Sequence, residues 1–194
     1  MSRSGRLRDE RHVYLDEGVL RDQLVRDVVL ALAAWRAFRP YWSSRLDLPS
    51  ASVMDEHFPD AAVDTPYDGG LQDILDAAEG GGCDLLVTDE VAVLVPLDER
   101  IPVENLSGFL LRMLDEYPER VVACLRDLQA RRPGGARTMP RLLITLATQG
   151  PALRTFAVEL NKVLPPEDSV SHQALLNAGT SAPRQRERDR GLER

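Results

Sequence analysis

The sequence predicts an α/β protein: one domain with a small mixed sheet of about four strands, flanked by helices and ending in charged, disordered termini. Three observations carry this reading. A long 3.6-residue apolar stripe opens the chain after Asp16, two nearly continuous apolar runs fall on either side of a polar trio at residues 88–90, and further apolar runs alternate with helical patterns to about Leu164. At 194 residues the chain is long enough to bury a full core, and its 43% hydrophobic content is ordinary for a globular protein. Aromatic residues make up only 5%, so the core is expected to be Leu, Val and Ala.

Residues 1–15 are arginine-rich at their start and lack apolar periodicity, which predicts a disordered arm. From Asp16, a helix-capping residue type, Leu20, Leu24, Val28, Leu32 and Trp35 recur on one stripe. The residue before a proline is pushed out of the helical region, so Arg39-Pro40 is expected to end that helix. Residues 41–70 sustain no period and predict irregular connection with at most one short strand or helix. Leu71 to Glu79 has the spacing of a short helix, stopped by Gly80-Gly81-Gly82. Leu85–Val87 and Val91–Val95 read as the arms of a hairpin turning at Thr88-Asp89-Glu90, with Pro96 ending the second arm or placing it at an edge. A helix follows from about Val103 to Tyr117. Arg120–Leu125 and Arg141–Thr148 read as third and fourth strands, and a helix opens at Pro151. The domain is expected to span residues 16–164, and residues 165–194 to be a mostly disordered charged tail carrying at most a turn of helix at SHQALLNA.

Composition narrows function. The net charge is −7, which argues against a protein that coats nucleic acid over its whole surface. Lys162 is the sole lysine among 24 basic residues, an arginine bias of the kind a GC-rich genome or a saline habitat imposes. The apolar runs are much shorter than a membrane span and no secretory signal opens the chain, so a cytoplasmic protein without a membrane partner is expected. Cys83 and Cys124 make neither a disulfide framework nor a zinc pattern, and His12, His57 and His172 share no motif spacing. No nucleophile elbow, P-loop or dinucleotide fingerprint occurs.

The order helix, irregular segment, apolar hairpin, helix, strand resembles the core of the PD-(D/E)XK, or restriction-endonuclease-like, superfamily. The residues that carry the resemblance are GCDLLVTDEVAVLVPLDE, with Asp84 as the first acid, and ENLSGFLLRMLDEYPERVVACL as the helix and strand that follow. Glu17, early in the first helix, corresponds to an acidic residue many members carry. The family holds divalent cations on its carboxylates and lysine to activate a water for phosphodiester hydrolysis. Here Leu94-Val95-Pro96 stands where its glutamate and lysine belong, and the nearest acids are Asp98 and Glu99.

The resemblance therefore implies a catalytically degenerate, non-enzymatic fold that binds a protein or nucleic-acid partner, with no catalytic residue and no cofactor. The alternative it leaves is a magnesium- or manganese-dependent nuclease whose carboxylates, Asp84, Glu17, Asp98 and Glu99, have migrated. Read from the residues alone, Asp84 begins a strand beside a glycine turn, and Glu17 favours a helix N-terminus. Arg126, Arg131, Arg132, Arg137 and Arg141, around a glycine loop, form a candidate surface for phosphates or an acidic partner; no aromatic is interleaved there to stack a base.

Overall fold

The computed structural model describes residues 10–64, 71–89, 101–131 and 138–178. Contacts divide the chain into two compact units, Met1–Phe109 and Leu110–Arg194.

The first unit is α/β, and its five strands form one sheet. In chain order they are β1 (His12–Leu15), β2 (Arg39–Ser43), β3 (Ala62–Val63), β4 (Leu85–Val87) and β5 (Val103–Glu104). The spatial order is β3-β2-β1-β4-β5 and every pair is parallel. The expected mixed sheet of about four strands is, among the described residues, a parallel sheet of five. Helices α1 (Glu17–Arg21) and α2 (Gln23–Ala34) connect β1 to β2, α3 (Ala51–His57) connects β2 to β3, and α4 (Leu71–Gly80) connects β3 to β4. Parallel neighbours require such crossovers, because a tight turn cannot return the chain to the same end.

Both faces of the sheet are covered. Tyr14, Tyr41 and Leu86 stand in register on one face and pack with Ile74, Leu75, Ala77 and Ala78 of α4. Val13, Leu15, Leu85 and Val87 point the other way and are as deeply buried. On α2, Leu24, Val25, Val28, Val29 and Leu32 form the buried stripe, and Asp22 caps the helix by accepting a 3.0 Å bond from the Val25 N–H. Phe38 meets Phe109 edge-to-face with centroids 5.1 Å apart, both fully buried.

Several assignments are corrected. The stripe after Asp16 is helical, but it breaks at Asp22 into α1 and α2 and ends at Ala34, and Pro40 lies inside β2. Proline is tolerated because alternate β2 residues donate to the β3 side, as in Trp42 N–H to Ala61 O at 3.0 Å, while β3 pairs only from Trp42 onward. His12–Leu15, assigned to the arm, is the central strand. Val13, Tyr14 and Leu15 are buried on both faces and His12 is half-buried, so the strand shows no alternation to read. The irregular stretch 41–70 contains α3 and β3. Of the expected hairpin, β4 is present and pairs in parallel on both sides; its second arm lies outside the described residues.

The second unit is helical among its described residues. Helix α5 (Leu106–Glu116) runs across the boundary between the units. It is followed by α6 (Pro118–Arg131), α7 (Met139–Thr148), α8 (Pro151–Val163), a 3₁₀ turn (Pro166–Asp168) and α9 (His172–Ala178). The two runs read as third and fourth strands lie within α6 and α7. Their buried residues fall at helical spacing: Val121, Cys124 and Leu125 on α6, and Leu142, Leu143, Leu146 and Ala147 on α7. A short apolar run is ambiguous between strand and helix, and packing decides it. Asn161 clasps Val170 in two bonds, accepting from its N–H at 2.8 Å and donating to its carbonyl at 2.9 Å. That clasp orders the start of the segment expected to be a disordered tail.

Candidate functional site

In an open parallel sheet, ligands bind outside the carboxyl ends of the strands, where the strand order reverses. Here the order reverses between β1 and β4, which carry their connections to opposite sides. The residues leaving those two strands are Asp16-Glu17-Gly18 after β1 and Thr88-Asp89 after β4. The ladder fixes both backbones: the Asp16 N–H donates to Val87 O at 3.1 Å, and the Thr88 N–H donates to Glu104 O at 3.0 Å.

Asp16 stands at the N-cap position of α1, where a carboxylate ordinarily accepts a backbone N–H of the first turn. It makes no such side-chain cap. Its Oδ2 instead accepts a 2.8 Å bond from the Thr88 hydroxyl, and both residues are buried, Asp16 at 8% exposure and Thr88 at 0%. Asp22, six residues later, caps α2 in the ordinary way, whereas Ser50 before α3 and Thr138 before α7, like Asp16, make no side-chain cap. Gly18 adds no side chain above this carboxylate; a β-carbon there would touch Asp16 Oδ2 at 3.5 Å.

The neighbouring strand ends are acidic. Glu17 follows Asp16 and pairs with Arg21 at 2.7 Å, Asp89 is exposed beside Thr88, Glu104 ends β5, and Asp64 follows β3. Arg45, two residues beyond β2, is exposed. Carboxylates in the first strand-to-helix turn repel a phosphate that approaches alone, which disfavours direct dinucleotide binding. They attract a cation. Among the described residues, no three His, Cys, Asp or Glu side chains are placed to hold a metal ion by themselves. A hydrated magnesium-like ion ordinarily takes only one or two carboxylates from a protein and completes its shell with water and phosphate oxygens.

The sequence-derived residues are dispersed. Asp84 lies at the other end of the sheet, where its Oδ2 accepts the His12 N–H at 2.9 Å and its own N–H donates to His12 O at 2.8 Å. Glu17 lies beyond the far end of β1, roughly 13 Å away at the ~3.3 Å rise per strand residue. Asp84 and Glu17 therefore cannot share a cation, and Asp84 serves to join the starts of β1 and β4. Asp98 and Glu99 are outside the described residues. Of the arginines, Arg126 on α6 pairs with Asp168 at 2.6 Å, Arg131 pairs with Asp127 one turn earlier, and Arg141 is exposed on α7. Arg132 and Arg137 are outside the described residues. The flanks of that loop are helices, and two of its guanidiniums already face carboxylates.

Sequence reasoning passed over Asp16 as a helix cap and Thr88-Asp89 as a turn. The available signal was a carboxylate one or two residues after each of two short apolar runs, Asp16 after VYL and Asp89 after LLV and Thr88.

Both cysteines are free and buried. Burial pushes the Cys83 thiol up to about 12, with Asp84 adding to the effect. Burial likewise pushes Cys124 up to about 12, with Asp127 adding and Arg131 opposing. The folded state therefore keeps two protons that the unfolded chain releases above its ordinary thiol pKa of about 8.5. Stability from this source is complete below about pH 8.5 and declines as pH rises toward 12, by up to about 1.4 kcal/mol per unit for each thiol. Urea unfolding between pH 8 and 10.5 should show that decline, with a shallower slope in a Cys83→Ala/Cys124→Ala variant; equal slopes would refute it.

The described residues define a parallel α/β unit with carboxylates at the carboxyl ends of its strands, followed by a helical unit. No family model matches the chain, and neither does any curated protein or solved structure. No helix among the described residues is long and apolar enough to cross a membrane.

Proposed function

We propose that the protein is a divalent-cation-dependent phosphodiester hydrolase acting on a nucleic-acid strand at the carboxyl edge of its sheet. The observation that supports this most is the Asp16 carboxylate, turned from its helix cap and held by Thr88 at the point where the strand order reverses. Asp16 and Asp89 are the residues that would hold the cation, from the ends of β1 and β4. A magnesium or manganese ion there would supply charge neutralisation and an acidified water. Asp16 contributes a carboxylate fixed before any ligand arrives, so little ordering cost falls on binding. Asp89, exposed on the adjacent turn, can adjust to the ion. Arg45, on the neighbouring strand end, is suited to a phosphate oxygen that a cation has drawn to the edge.

This reading takes up the nuclease alternative, with a different set of carboxylates, in place of the non-enzymatic binding fold expected from the sequence. The test is cleavage of labelled single- and double-stranded RNA and DNA with manganese or magnesium, against the same mixtures in EDTA. Cation-dependent cutting supports the proposal. Binding of strands with no cutting under any of these conditions would favour the non-enzymatic partner-binding reading.

A further inference from the structure

Thr88 is joined to the switch point by more than position. Its backbone N–H is committed to Glu104 O, and the adjoining β4 residue Val87 accepts the Asp16 N–H, so the main chains at Thr88 and Asp16 are fixed by the sheet. What the ladder leaves undetermined is the side-chain torsion of Asp16. A threonine side chain is stiff at its first torsion, and this one places its hydroxyl 2.8 Å from Asp16 Oδ2 at a site where the threonine has no exposed surface. A buried hydroxyl bound to a carboxylate is a strong, directed contact, and its loss leaves the carboxylate oxygen without that donor. The partners are 72 residues apart in sequence, so the bond also ties the end of β1 to the end of β4.

We infer that Thr88 is a positioning residue: its hydroxyl holds the Asp16 carboxylate at the carboxyl ends of β1 and β4 and keeps it from falling back into the α1 cap. The consequence for cation affinity rests on the proposed function, whereas the orientation itself does not. Removing an outer partner of a metal ligand typically weakens affinity by about 10–100-fold.

Three measurements separate these claims. In the cation-free protein, Hα–Hβ scalar couplings of Asp16 should report a single side-chain rotamer in wild type and in Thr88→Ser, and averaging in Thr88→Val. A single rotamer in Thr88→Val, or averaging in Thr88→Ser equal to that in Thr88→Val, overturns the inference. In wild type alone, the Thr88 hydroxyl proton should be a slowly exchanging resonance with a cross-peak to the Asp16 β-protons; its absence overturns the inference even if the valine variant does not fold. Manganese titration should then show affinity about 10-fold weaker in Thr88→Val and restored in Thr88→Ser. No manganese binding by wild type would defeat the hydrolase reading, with the couplings still deciding the role of Thr88.

Discussion

Asp16→Asn is expected to abolish cation-dependent strand cleavage, with a loss greater than about 100-fold, while leaving the fold intact. The expected loss exceeds the ~10–100-fold effect of removing an outer partner because the carboxylate itself is the ligand. Asparagine preserves the shape and keeps an oxygen that can accept the Thr88 hydroxyl, so the buried bond at 2.8 Å survives in neutral form. Stability should change by no more than about 1 kcal/mol in urea unfolding, in the range of an exchanged hydrogen-bonding partner. The comparison with Asp84→Asn is informative. Asp84 joins β1 to β4 at the opposite end of the sheet, so its replacement should reduce stability without affecting cleavage. If Asp16→Asn cleaves as wild type does, Asp16 is not the residue that holds the cation.

Phe38→Ala is expected to produce the largest loss of stability, about 3–5 kcal/mol. Phe38 has no exposed surface and stacks edge-to-face on Phe109, the last residue of the first unit, at 5.1 Å. With aromatics so scarce, few other side chains in this core can refill the volume. Phe38→Leu, which keeps most of that volume, should cost less than about 1.5 kcal/mol. The two variants are compared by urea unfolding at one pH; a change below about 1 kcal/mol for Phe38→Ala would place Phe38 outside the core that holds β2 to α2.

The α/β class was legible in the sequence because α2 and α8 are long and amphipathic, with buried residues at 3.6-residue spacing. The sheet was less so. Its strands are two to five residues long, and HVYL is buried almost throughout, so neither alternation nor length marks it as the centre of the sheet. The valines of RVVACL favour a strand by propensity, yet Val121, Cys124 and Leu125 are buried on one side of α6, where packing overrides propensity. Errors in the sheet carried into the site. With residues 12–15 read as an arm, Asp16 looked like the start of a helix, and its neighbour Thr88 looked like a turn residue. Only the strand order places the two at adjacent strand ends, and strand order is a long-range property that local periodicity does not encode.

The most direct test of the account is to locate the cation. Manganese added in small amounts to ¹⁵N-labelled protein broadens the amide resonances nearest to it. The account predicts the strongest broadening at residues 15–18 and 87–89, lost in Asp16→Asn. Broadening centred on His12 and Asp84, or on the arginines of α6 and α7, would contradict it.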